Sequence, residues 1–215
     1  MNDDILLNIL NRDAKYVNSH VNLDILEGAD VTITGATGLV GLNIICALNY
    51  YNNNNAKQRI NINALSYSKP IGVIKKVFEE NCVNSISGDL SDCSFIKKLP
   101  LSDCIIHSAG YGQPGKFLDD KLKTISINTS ATISLSKKLK KEGRFLFLSS
   151  SEVYSGCTSK ENIESDIGTT APNHARSCYI EGKRSGEAVI NVLRDKGFKA
   201  TSARLALAYG PGVRT

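Results

Sequence analysis

The chain has 215 residues, of which 41% are hydrophobic and 22% charged, enough for one substantial α/β domain, or two small ones, with a buried core. No window is apolar enough for a membrane span, and the acidic, amphipathic start is not an export signal, so we expect a cytoplasmic protein that does not bind membranes. The net charge of +5 is mild, and the basic patch Lys137–Arg144 lacks interleaved aromatic residues, which argues against a nucleic-acid-binding surface. We interpret this patch as the solvated end of a helix.

The six cysteines are scattered along the chain and form no CxxC pair. Several lie in apolar runs, where a free cysteine behaves as a small hydrophobic residue. The three histidines are far apart, so no metal site is predicted either. We therefore expect buried, reduced thiols at Cys46, Cys82, Cys93, Cys104, Cys157 and Cys178.

From about residue 29 onward, short β-branched runs alternate with longer helical stretches. The first helix of this alternation, 39–51, leads into the asparagine tract Asn52–Asn55, which we interpret as a surface loop. The next helix, 71–81, places Ile71, Ile74 and Phe78 on one side. Six strands are predicted, within 29–38, 59–66, 83–87, 103–110, 144–151 and 199–210. This alternation predicts a parallel sheet wrapped by helices.

A long helix is predicted from about Asp119 to Lys141, because apolar and threonine side chains recur there at steps of three or four. The members of this buried stripe are Leu122, Ile125, Thr129, Thr132, Leu135 and Leu139. A later helix carries the segment SCYIEGKRSGEA, Ser177–Ala188. Residues 1–29 form a lead segment whose amphipathic helix should pack on the domain or on a partner, and 30–215 form the main domain.

The segment TGATGLVG places three glycines between the first strand and the first helix. Free backbone N–H groups at a helix N-terminus hold phosphate, and glycines let the phosphate approach. The GxxGxxG spacing differs from the common GxGxxG fingerprint, and a tight turn is the alternative. Because the glycines open a βαβ pattern, they favour a dinucleotide site. Its predicted residues are Gly35, Thr37, Gly38, Leu39, Val40 and Gly41.

The end of the second strand bears on the choice between NAD and NADP. A carboxylate there would bind the ribose of NAD, whereas a basic residue suits the additional phosphate of NADP. The sequence ALSYSKP contains no acid, and Ser66, Ser68 and Lys69 either accommodate a phosphate or face water. We expect NAD or NADP as the cofactor, and this segment favours NADP.

The segment SGDLSD follows the third strand. Asp89 and the adjacent backbone at Leu90 are candidates for hydrogen bonds to an adenine edge, although Gly-Asp is also common in turns. The binding interpretation depends on the presence of the glycine loop.

Tyr179 and Lys183 are four residues apart, so their side chains project from one face of a helix. Bringing the pKa of a tyrosine close to neutrality takes about 4 kcal/mol, and a lysine ammonium in a dry site is one source of it. Such a tyrosinate can take a proton from a sugar hydroxyl. A chance YxxxK on an exposed helix face is the alternative. The hydroxyls of Ser149, Ser150 and Ser151 favour the catalytic interpretation, because they end a strand, where doubly wound sheets bind ligands.

Together these motifs resemble the extended short-chain dehydrogenase/reductase family, which includes NAD(P)-dependent nucleotide-sugar epimerases, dehydratases and decarboxylases. The resemblance runs from about Val31 to the end of the chain and implies a Rossmann-type doubly wound parallel sheet. It rests on GATGLVG, GDLSD, IIHSAG, INTSAT, SSSEVYS, YIEGK and RLALAYGPG, in the family's order.

The resemblance implies a catalytic triad, with Tyr179 as base, Ser150 polarising the substrate oxygen, and Lys183. Asn128 would support the active site from its helix. A homodimer through the two long helices is also suggested. The cofactor contacts implied beyond the glycine loop are Ser108, Ala109, Gly110, Asn128, Tyr179 and Lys183.

Glu152 in SSEVY is similar to the acidic residue of nucleotide-sugar 4,6-dehydratases and UDP-glucuronate decarboxylases, which simple 4-epimerases usually lack. CYIEGKR is also similar to a decarboxylase sequence. The implied reaction oxidises C4 of a nucleotide-linked sugar, after which the 4-ketone promotes dehydration or the loss of a C6 carboxylate. Ser151 stands where one type of dehydratase carries an aspartate acid, which counts against that type. A solvated carboxylate at a strand end is the alternative for Glu152.

Two departures from the family pattern leave other functions open. Leu207 stands where decarboxylases have an asparagine, and the chain ends at Thr215, so the substrate-binding C-terminal part is expected to be largely missing. A nucleotide-sugar epimerase or reductase is the second candidate function. A non-catalytic NAD(P)-binding module is the candidate of a different class.

Overall fold

A six-stranded parallel sheet forms the centre of the molecule in the computed structural model, which describes residues 3–80 and 83–210. The strands are β1 Asp30–Thr34, β2 Asn61–Ser66, β3 Asn84–Ser87, β4 Ser102–His107, β5 Leu139–Ser150 and β6 Lys199–Leu205. Their order across the sheet is β3-β2-β1-β4-β5-β6. The chain therefore runs outward from β1 to β3 on one side and from β4 to β6 on the other, so the order of connection reverses between β1 and β4. Ligands of open α/β sheets bind at such a reversal, beyond the carboxyl ends of the strands. The predicted Rossmann-type doubly wound sheet is confirmed.

Helices cover both faces of this sheet. They are α1 Asp3–His20, α2 Leu39–Asn54, α3 Gly72–Glu80, α4 Cys93–Lys97, α5 Pro114–Asp119, α6 Lys121–Asn128, α7 Ser130–Ser136 and α8 Ser177–Asp195, with 3-10 turns at Asp24–Leu26 and Ser151–Tyr154. One apolar core contains side chains of α1, α2 and α3, and the other contains side chains of α4, α7 and α8. Successive residues of β4 alternate between them, since Cys104 and Ile106 face the first core and Ile105 faces the second.

The lead helix α1 packs on the domain itself, which was one of the two alternatives. Leu10 and Ala14 are buried against the first core. Near the end of α1, the Asn18 amide donates hydrogen bonds of 2.9 Å to the carbonyl oxygens of Ala14 and Ala47, and the second bond joins α1 to α2.

The long helix predicted over Asp119–Lys141 is wrong. Asp120 caps a new helix, because its side chain accepts a hydrogen bond from the Lys123 N–H, and Thr129 interrupts the path between α6 and α7. Beyond Ser136 the chain turns into β5, so Leu139 is a strand residue that pairs with Ser102.

The predicted stripe on this segment is also wrong at its start. Leu122 is 81% exposed and Ile125 is 38% exposed. Thr132 and Leu135 are buried as predicted, and the other buried positions are Thr124, Ile127, Asn128 and Ala131. Small and polar residues face inward because α6 lies close to α8. A Cβ at Gly186 would lie 2.9 Å from the Asn128 carbonyl oxygen and 2.3 Å from the Phe147 ring.

Two further surface predictions need correction. The basic patch Lys137–Arg144 is not a helix end but leads into β5, where the Lys140 ammonium bonds carboxylate oxygens of Asp30 and Asp103 at 2.7 and 2.8 Å. The asparagine tract is not a loop, since α2 continues to Asn54. Asn52 is buried, accepts from the Ile60 N–H and donates to the Ile60 carbonyl.

At several apolar and cysteine residues the burial differs from the prediction. Ile71 precedes α3 and is 73% exposed, whereas Ile74 and Phe78 are buried as predicted. The described cysteines are free thiols, but only Cys46, Cys104 and Cys178 are buried; Cys93 is exposed and Cys157 half-buried. Cys82 and the proline and second glycine of YGPG lie outside the described residues. The sixth strand ends at Leu205 rather than at residue 210.

Candidate functional site: a cofactor loop beside a tyrosine and a lysine

The glycine loop joins the end of β1 to the start of α2. Gly35 has φ +66°, and a Cβ on it would lie 2.8 Å from the backbone of Ala109. A Cβ on Gly41 would lie 2.4 Å from the Gly35 carbonyl oxygen, so α2 could not pack as closely on the loop. Glycine at these two positions is therefore a requirement of the turn.

The N-terminus of α2 faces the reversal point of the sheet. Gly38 is its N-cap residue and, among the described residues, has no side-chain capping bond. The first N–H groups of a helix, those of Leu39, Val40 and Gly41 in this case, have no partner within the helix. Together with the half-buried Thr37 they form a cradle that fits an anionic phosphate group, as a dinucleotide cofactor requires.

The end of β2 carries hydroxyl, aromatic and basic groups. The Ser66 hydroxyl is buried and donates to the Ser68 carbonyl at 2.8 Å, whereas Ser68 and Lys69 are exposed. Tyr67 is also exposed, and the Lys123 ammonium lies 4.2 Å from the centre of its ring. The predicted phosphate contact of Ser66 and Lys69 stays a prediction.

Asp89 lies beyond the end of β3 and is already bonded within the protein. Its carboxylate accepts from the Lys123 ammonium at 2.6 Å and from the Ser91 hydroxyl and N–H at 2.7 and 2.9 Å. Burial acts to raise the pKa of Asp89, but these hydrogen bonds outweigh it and lower the pKa. Leu90, beside it, is buried. A further bond from Asp89 to an adenine edge stays a prediction.

The segment after β4 is tied to β1 at the reversal point. The Ser108 hydroxyl donates to the Thr34 carbonyl, and the Ala109 N–H donates to the Thr34 hydroxyl at 3.0 Å. The fully buried His107 bonds the same hydroxyl through Nδ1 at 2.7 Å, and burial lowers its pKa to about 4. Beyond it, a Cβ on Gly110 would lie 3.6 Å from the Lys183 ammonium. Sequence reasoning missed the roles of Thr34 and His107.

Ser150 and Tyr179 meet beyond the end of β5. Ser150 is the last residue of the strand and Tyr179 lies in the first turn of α8, and the Ser150 hydroxyl is close enough to act on the pKa of Tyr179. The Phe117 ring stacks on the Tyr179 ring with 4.8 Å between ring centres. Burial raises the pKa of Tyr179, and Glu152 adds to this, although the nearby Ser150 hydroxyl acts in the opposite direction. The described residues alone therefore do not bring Tyr179 towards neutrality.

Lys183 lies one turn along α8 from Tyr179 and is 5% exposed. Its ammonium donates to the Leu148 carbonyl at 2.7 Å and lies 5.7 Å from the centre of the Tyr179 ring. Burial lowers the pKa of Lys183 to about 8, because a desolvated ammonium ion is costly. The face of α8 that carries both residues is thus turned towards the sheet and not towards water.

Glu152 follows Ser150 in the 3-10 turn, and its N–H donates to the Ser150 hydroxyl at 3.2 Å. Its carboxylate is bonded by Arg176 at 2.6 Å, and the Arg176 guanidinium lies 5.5 Å from the centre of the Phe117 ring. Glu152 is thus held by a cation beside Tyr179, and is not the freely solvated carboxylate of the alternative interpretation. Arg176 and Phe117 carried no signal in the sequence.

Asn128 is fully buried on α6, and its amide donates to the Thr124 carbonyl at 2.8 Å. Its Oδ1 atom has no hydrogen-bond partner among the described residues, and Oδ1 lies 4.0 Å from the position of a Cβ on Gly110. An unsatisfied buried acceptor near the Lys183 ammonium fits a polar group from a bound molecule or solvent at this point.

Glu187, which sequence reasoning also missed, links α8 to the neighbouring strands β5 and β6. Glu187 accepts from the Ser149 hydroxyl at 2.5 Å and from Arg204 at 2.7 and 2.9 Å. Burial acts to raise the pKa of Glu187, but the bonds from Arg204 and Ser149 lower it. Of the three serines, Ser149 is thus engaged in the structure and Ser151 is exposed, which leaves Ser150 next to Tyr179.

The comparisons with known proteins agree with this geometry. The NAD dependent epimerase/dehydratase family matches residues 31–215. The chain belongs to this family. Within the described residues, no helix is long and apolar enough to cross a bilayer, and no group of three metal-binding side chains occurs.

Three proteins illustrate what the chain is similar to. UDP-glucuronic acid decarboxylase 2 of Arabidopsis thaliana is 27% identical over 194 residues, which cover 86% of this chain and 40% of the relative. The dTDP-glucose 4,6-dehydratase of Streptomyces venezuelae, solved with NAD bound, has a TM-score of 0.69 at 20% identity, covering 86% of this chain and 57% of that one. RMD from Pseudomonas aeruginosa, solved with NADPH, has a TM-score of 0.59 at 22% identity, with 86% and 56% covered.

These likenesses set a limit on what the family shows for this chain. The two structures share the fold, and their identities are too low to carry more than that. The chain spans 40% of the decarboxylase and 57% of the dehydratase, so the activity of the whole protein is a matter for proposal.

Proposed function

We propose that the protein is an NAD(P)-dependent enzyme that modifies a nucleotide sugar through a 4-keto intermediate, by decarboxylation or dehydration. One observation carries the proposal: Ser150, Tyr179 and the buried Lys183 lie together at the carboxyl ends of the strands, beside the glycine loop. An oxidoreductase site needs this combination of a proton acceptor, a hydrogen-bond donor and a cofactor cradle.

The cofactor contacts follow from the fold. Leu39, Val40 and Gly41 would bind the pyrophosphate through backbone N–H groups, and Ser66 and Lys69 lie where the adenosine ribose is expected. The absence of an acid in ALSYSKP supports NADP over NAD. A bound nicotinamide supplies hydride acceptance and return.

The chain's own residues manage the proton. Tyr179 takes the proton from the C4 hydroxyl of the sugar, while Ser150 donates a hydrogen bond to the same oxygen. Lys183 places a cation close to the Tyr179 ring, and Asn128 offers its unsatisfied Oδ1 nearby. Since burial raises the pKa of Tyr179, the tyrosinate needs more positive charge than the protein alone provides.

Glu152 supports decarboxylation or dehydration over simple epimerisation. Its carboxylate is fixed by Arg176 beside Tyr179, which supports a role for it at the C5 proton or the C6 substituent of the sugar. The likeness to UDP-glucuronic acid decarboxylase 2 supports a nucleotide-linked uronic acid as the first substrate to test.

A nucleotide-sugar epimerase or reductase is the second candidate. Leu207, which replaces the family asparagine, is 94% exposed and supplies no polar contact for a uronic acid. A cofactor-binding module without chemistry is the third candidate. The preserved Ser150, Tyr179 and Lys183 argue against it, because binding alone does not need them.

Two measurements test the proposal. The thermal midpoint is measured with NAD, with NADP and with neither, and cofactor at 100 times its dissociation constant should stabilise the fold by about 2.7 kcal/mol. Products from UDP-glucuronate and UDP-glucose are then separated. Carbon dioxide from the uronate, or a 4-keto-6-deoxy sugar, supports the proposal, and an inverted hydroxyl supports the epimerase. Cofactor binding without any product supports the module.

A further inference from the structure

Glu187 and Lys183 lie one turn apart on α8, and both side chains reach the end of β5. The Lys183 ammonium donates to the Leu148 carbonyl at 2.7 Å. The Glu187 carboxylate accepts from the Ser149 hydroxyl at 2.5 Å. Residues four apart on a helix lie on the same face, so a cation and an anion hold two consecutive residues of the strand. Ser150 is the next residue, and its position therefore depends on both contacts.

Arg204 balances the charge of Glu187 from the neighbouring strand β6. Its guanidinium donates to both carboxylate oxygens of Glu187, at 2.7 Å from Nη2 and 2.9 Å from Nε. The two side chains are 23% and 14% exposed, so water screens this ion pair only in part. The third guanidinium nitrogen, Nη1, donates to the Tyr154 hydroxyl at 2.8 Å and to the Glu164 carbonyl at 2.9 Å. Since Tyr154 ends the 3-10 turn that carries Glu152, Arg204 joins this turn to α8.

A nearby anion matters to Lys183 because its ammonium is buried. Burial lowers the pKa of Lys183 to about 8, and the Glu187 carboxylate acts in the opposite direction. Burial raises the pKa of Tyr179 on α8 and lowers that of His107 on β4 to about 4, so both side chains are uncharged at neutral pH. The Glu152 carboxylate is bonded by an arginine of its own. Among the described groups, Glu187 is thus the anion that offsets the burial of Lys183.

We propose that Glu187 is a positioning residue of the candidate site that acts as the counter-ion of Lys183, and that Arg204 limits the negative charge that Glu187 presents. The role of Glu187 rests on the proposed function, in which Lys183 places a cation beside Tyr179. Removing the charge of Glu187 leaves the buried ammonium without its anion, so Lys183 loses its proton at a lower pH. Removing the charge of Arg204 leaves Glu187 uncompensated, so Lys183 keeps its proton to a higher pH.

The test measures the titration of Lys183 in the full chain without cofactor. The ¹³Cε signal of Lys183, assigned by its loss in Lys183→Met, reports the charge of the ammonium between about pH 6 and pH 11. Glu187→Gln keeps the side-chain length and an oxygen for the Ser149 hydroxyl, so the Lys183 midpoint should fall by about 0.5 pH units or more. Arg204→Gln should raise the midpoint by a similar amount. A role limited to packing would move both midpoints in the same direction, since both substitutions loosen the same contacts.

Two conservative variants and a matched control sharpen the comparison. Glu187→Asp and Arg204→Lys keep the charges, so the Lys183 midpoint should stay closer to that of the parent than in the glutamine variants. Glu181→Gln is the control, because Glu181 lies on the same helix but its side chain is 41% exposed and bonds Arg184. This substitution should leave the Lys183 midpoint unchanged.

Two results would overturn the proposal. One is a Lys183 midpoint that Glu187→Gln leaves unchanged or raises, and the other is a shift in the same direction in Glu187→Gln and Arg204→Gln. Neither result depends on turnover. Failure of the proposed function would appear separately, as a chain that titrates as expected but binds neither NAD nor NADP in the thermal-midpoint measurement.

Discussion

The described residues hold Tyr179 in position but do not lower its pKa. Its ring is stacked on Phe117 and its side chain lies beside Ser150, but burial raises its pKa. The base form must therefore be favoured by charge that arrives with ligands. The side chain is thus positioned in advance, while its ionisation depends on binding.

Tyr179→Phe removes this proton acceptor and keeps the stacked ring. We expect turnover to fall by about 10²–10⁴-fold, in line with the loss of general acid–base catalysis, while the thermal shift caused by cofactor persists. Turnover assays and thermal midpoints check the two halves separately. Activity close to that of the parent would contradict the assigned role of Tyr179.

Lys183 gives a pH-dependent signature of stability. Its pKa falls from 10.5 to about 8 on folding, so between these values the unfolded chain binds more protons and stability rises with pH. Below pH 8 the protein holds a costly buried ammonium. Lys183→Met removes it, so the parent should gain roughly 2–3 kcal/mol relative to this variant between pH 7 and pH 10.

Urea unfolding of both proteins across this pH range measures the difference. The matched control is Lys137→Met at an exposed lysine, which should follow the parent at every pH. A constant difference between the parent and Lys183→Met would show that the Lys183 pKa does not change on folding.

Among the elements, the β1–α2 junction depends most closely on single atoms. Gly41→Ala would place a Cβ 2.4 Å from the Gly35 carbonyl oxygen, so α2 must move away from the loop. We expect a loss of about 1–3 kcal/mol in the free energy of unfolding and no cofactor-induced shift.

Gly115→Ala is the matched control for the glycine loop. Gly115 lies in α5, and a Cβ there meets nothing within 4 Å. Since alanine favours helix over glycine, stability should be unchanged or slightly higher, with the cofactor shift intact. Equal losses of unfolding free energy in both variants would contradict the requirement for glycine at Gly41.

The elements also show what the sequence could predict. Apolar runs located the central strands because a parallel sheet buries both faces of such strands, and the glycine loop followed from the strand-to-helix pattern. The edge strand β3, NSIS, is mostly exposed. The break at Thr129 was not predictable from periodicity, because Leu122 and Leu135 continue one pattern across two helices. The exposure of Leu122 depends on how closely α6 approaches α8, which is set by Gly186 on a distant segment.

The candidate site divides in the same way. Ser150, Glu152, Tyr179 and Lys183 came from local motifs, and the fold brings them together. Phe117 and Arg176 were missed, because a ring stack and an ion pair between remote segments leave no spacing rule in the sequence.

For the assembled molecule, the exposed apolar side chains of α6 and α7 bear on the homodimer that the family resemblance suggests. Leu122 is 81% exposed, Ile125 38% and Ile133 45%. If these helices pair between copies, Leu122→Glu should weaken dimerisation at least about tenfold, or about 1.4 kcal/mol. Sedimentation at several protein concentrations measures it.

The control for this surface is Ile71→Glu. Ile71 is 73% exposed but lies just before α3, on another part of the molecule. It should leave the association state unchanged. A monomeric parent, or equal weakening by both substitutions, would contradict pairing through α6 and α7.

The position of β1 in the sheet has a consequence during synthesis. One edge of β1 pairs with β2, which emerges soon afterwards, but the other waits for β4, and the buried Thr34–His107 bond joins residues 73 positions apart. Until β4 emerges from the ribosome, that edge presents unpaired N–H and carbonyl groups to any neighbouring nascent chain. We expect pairing between β1 and β4 to limit the folding rate. These strands are far apart in the chain, so the entropy cost of bringing them together precedes the contacts that stabilise the pair. Slow translation between residues 34 and 102 would prolong this open interval.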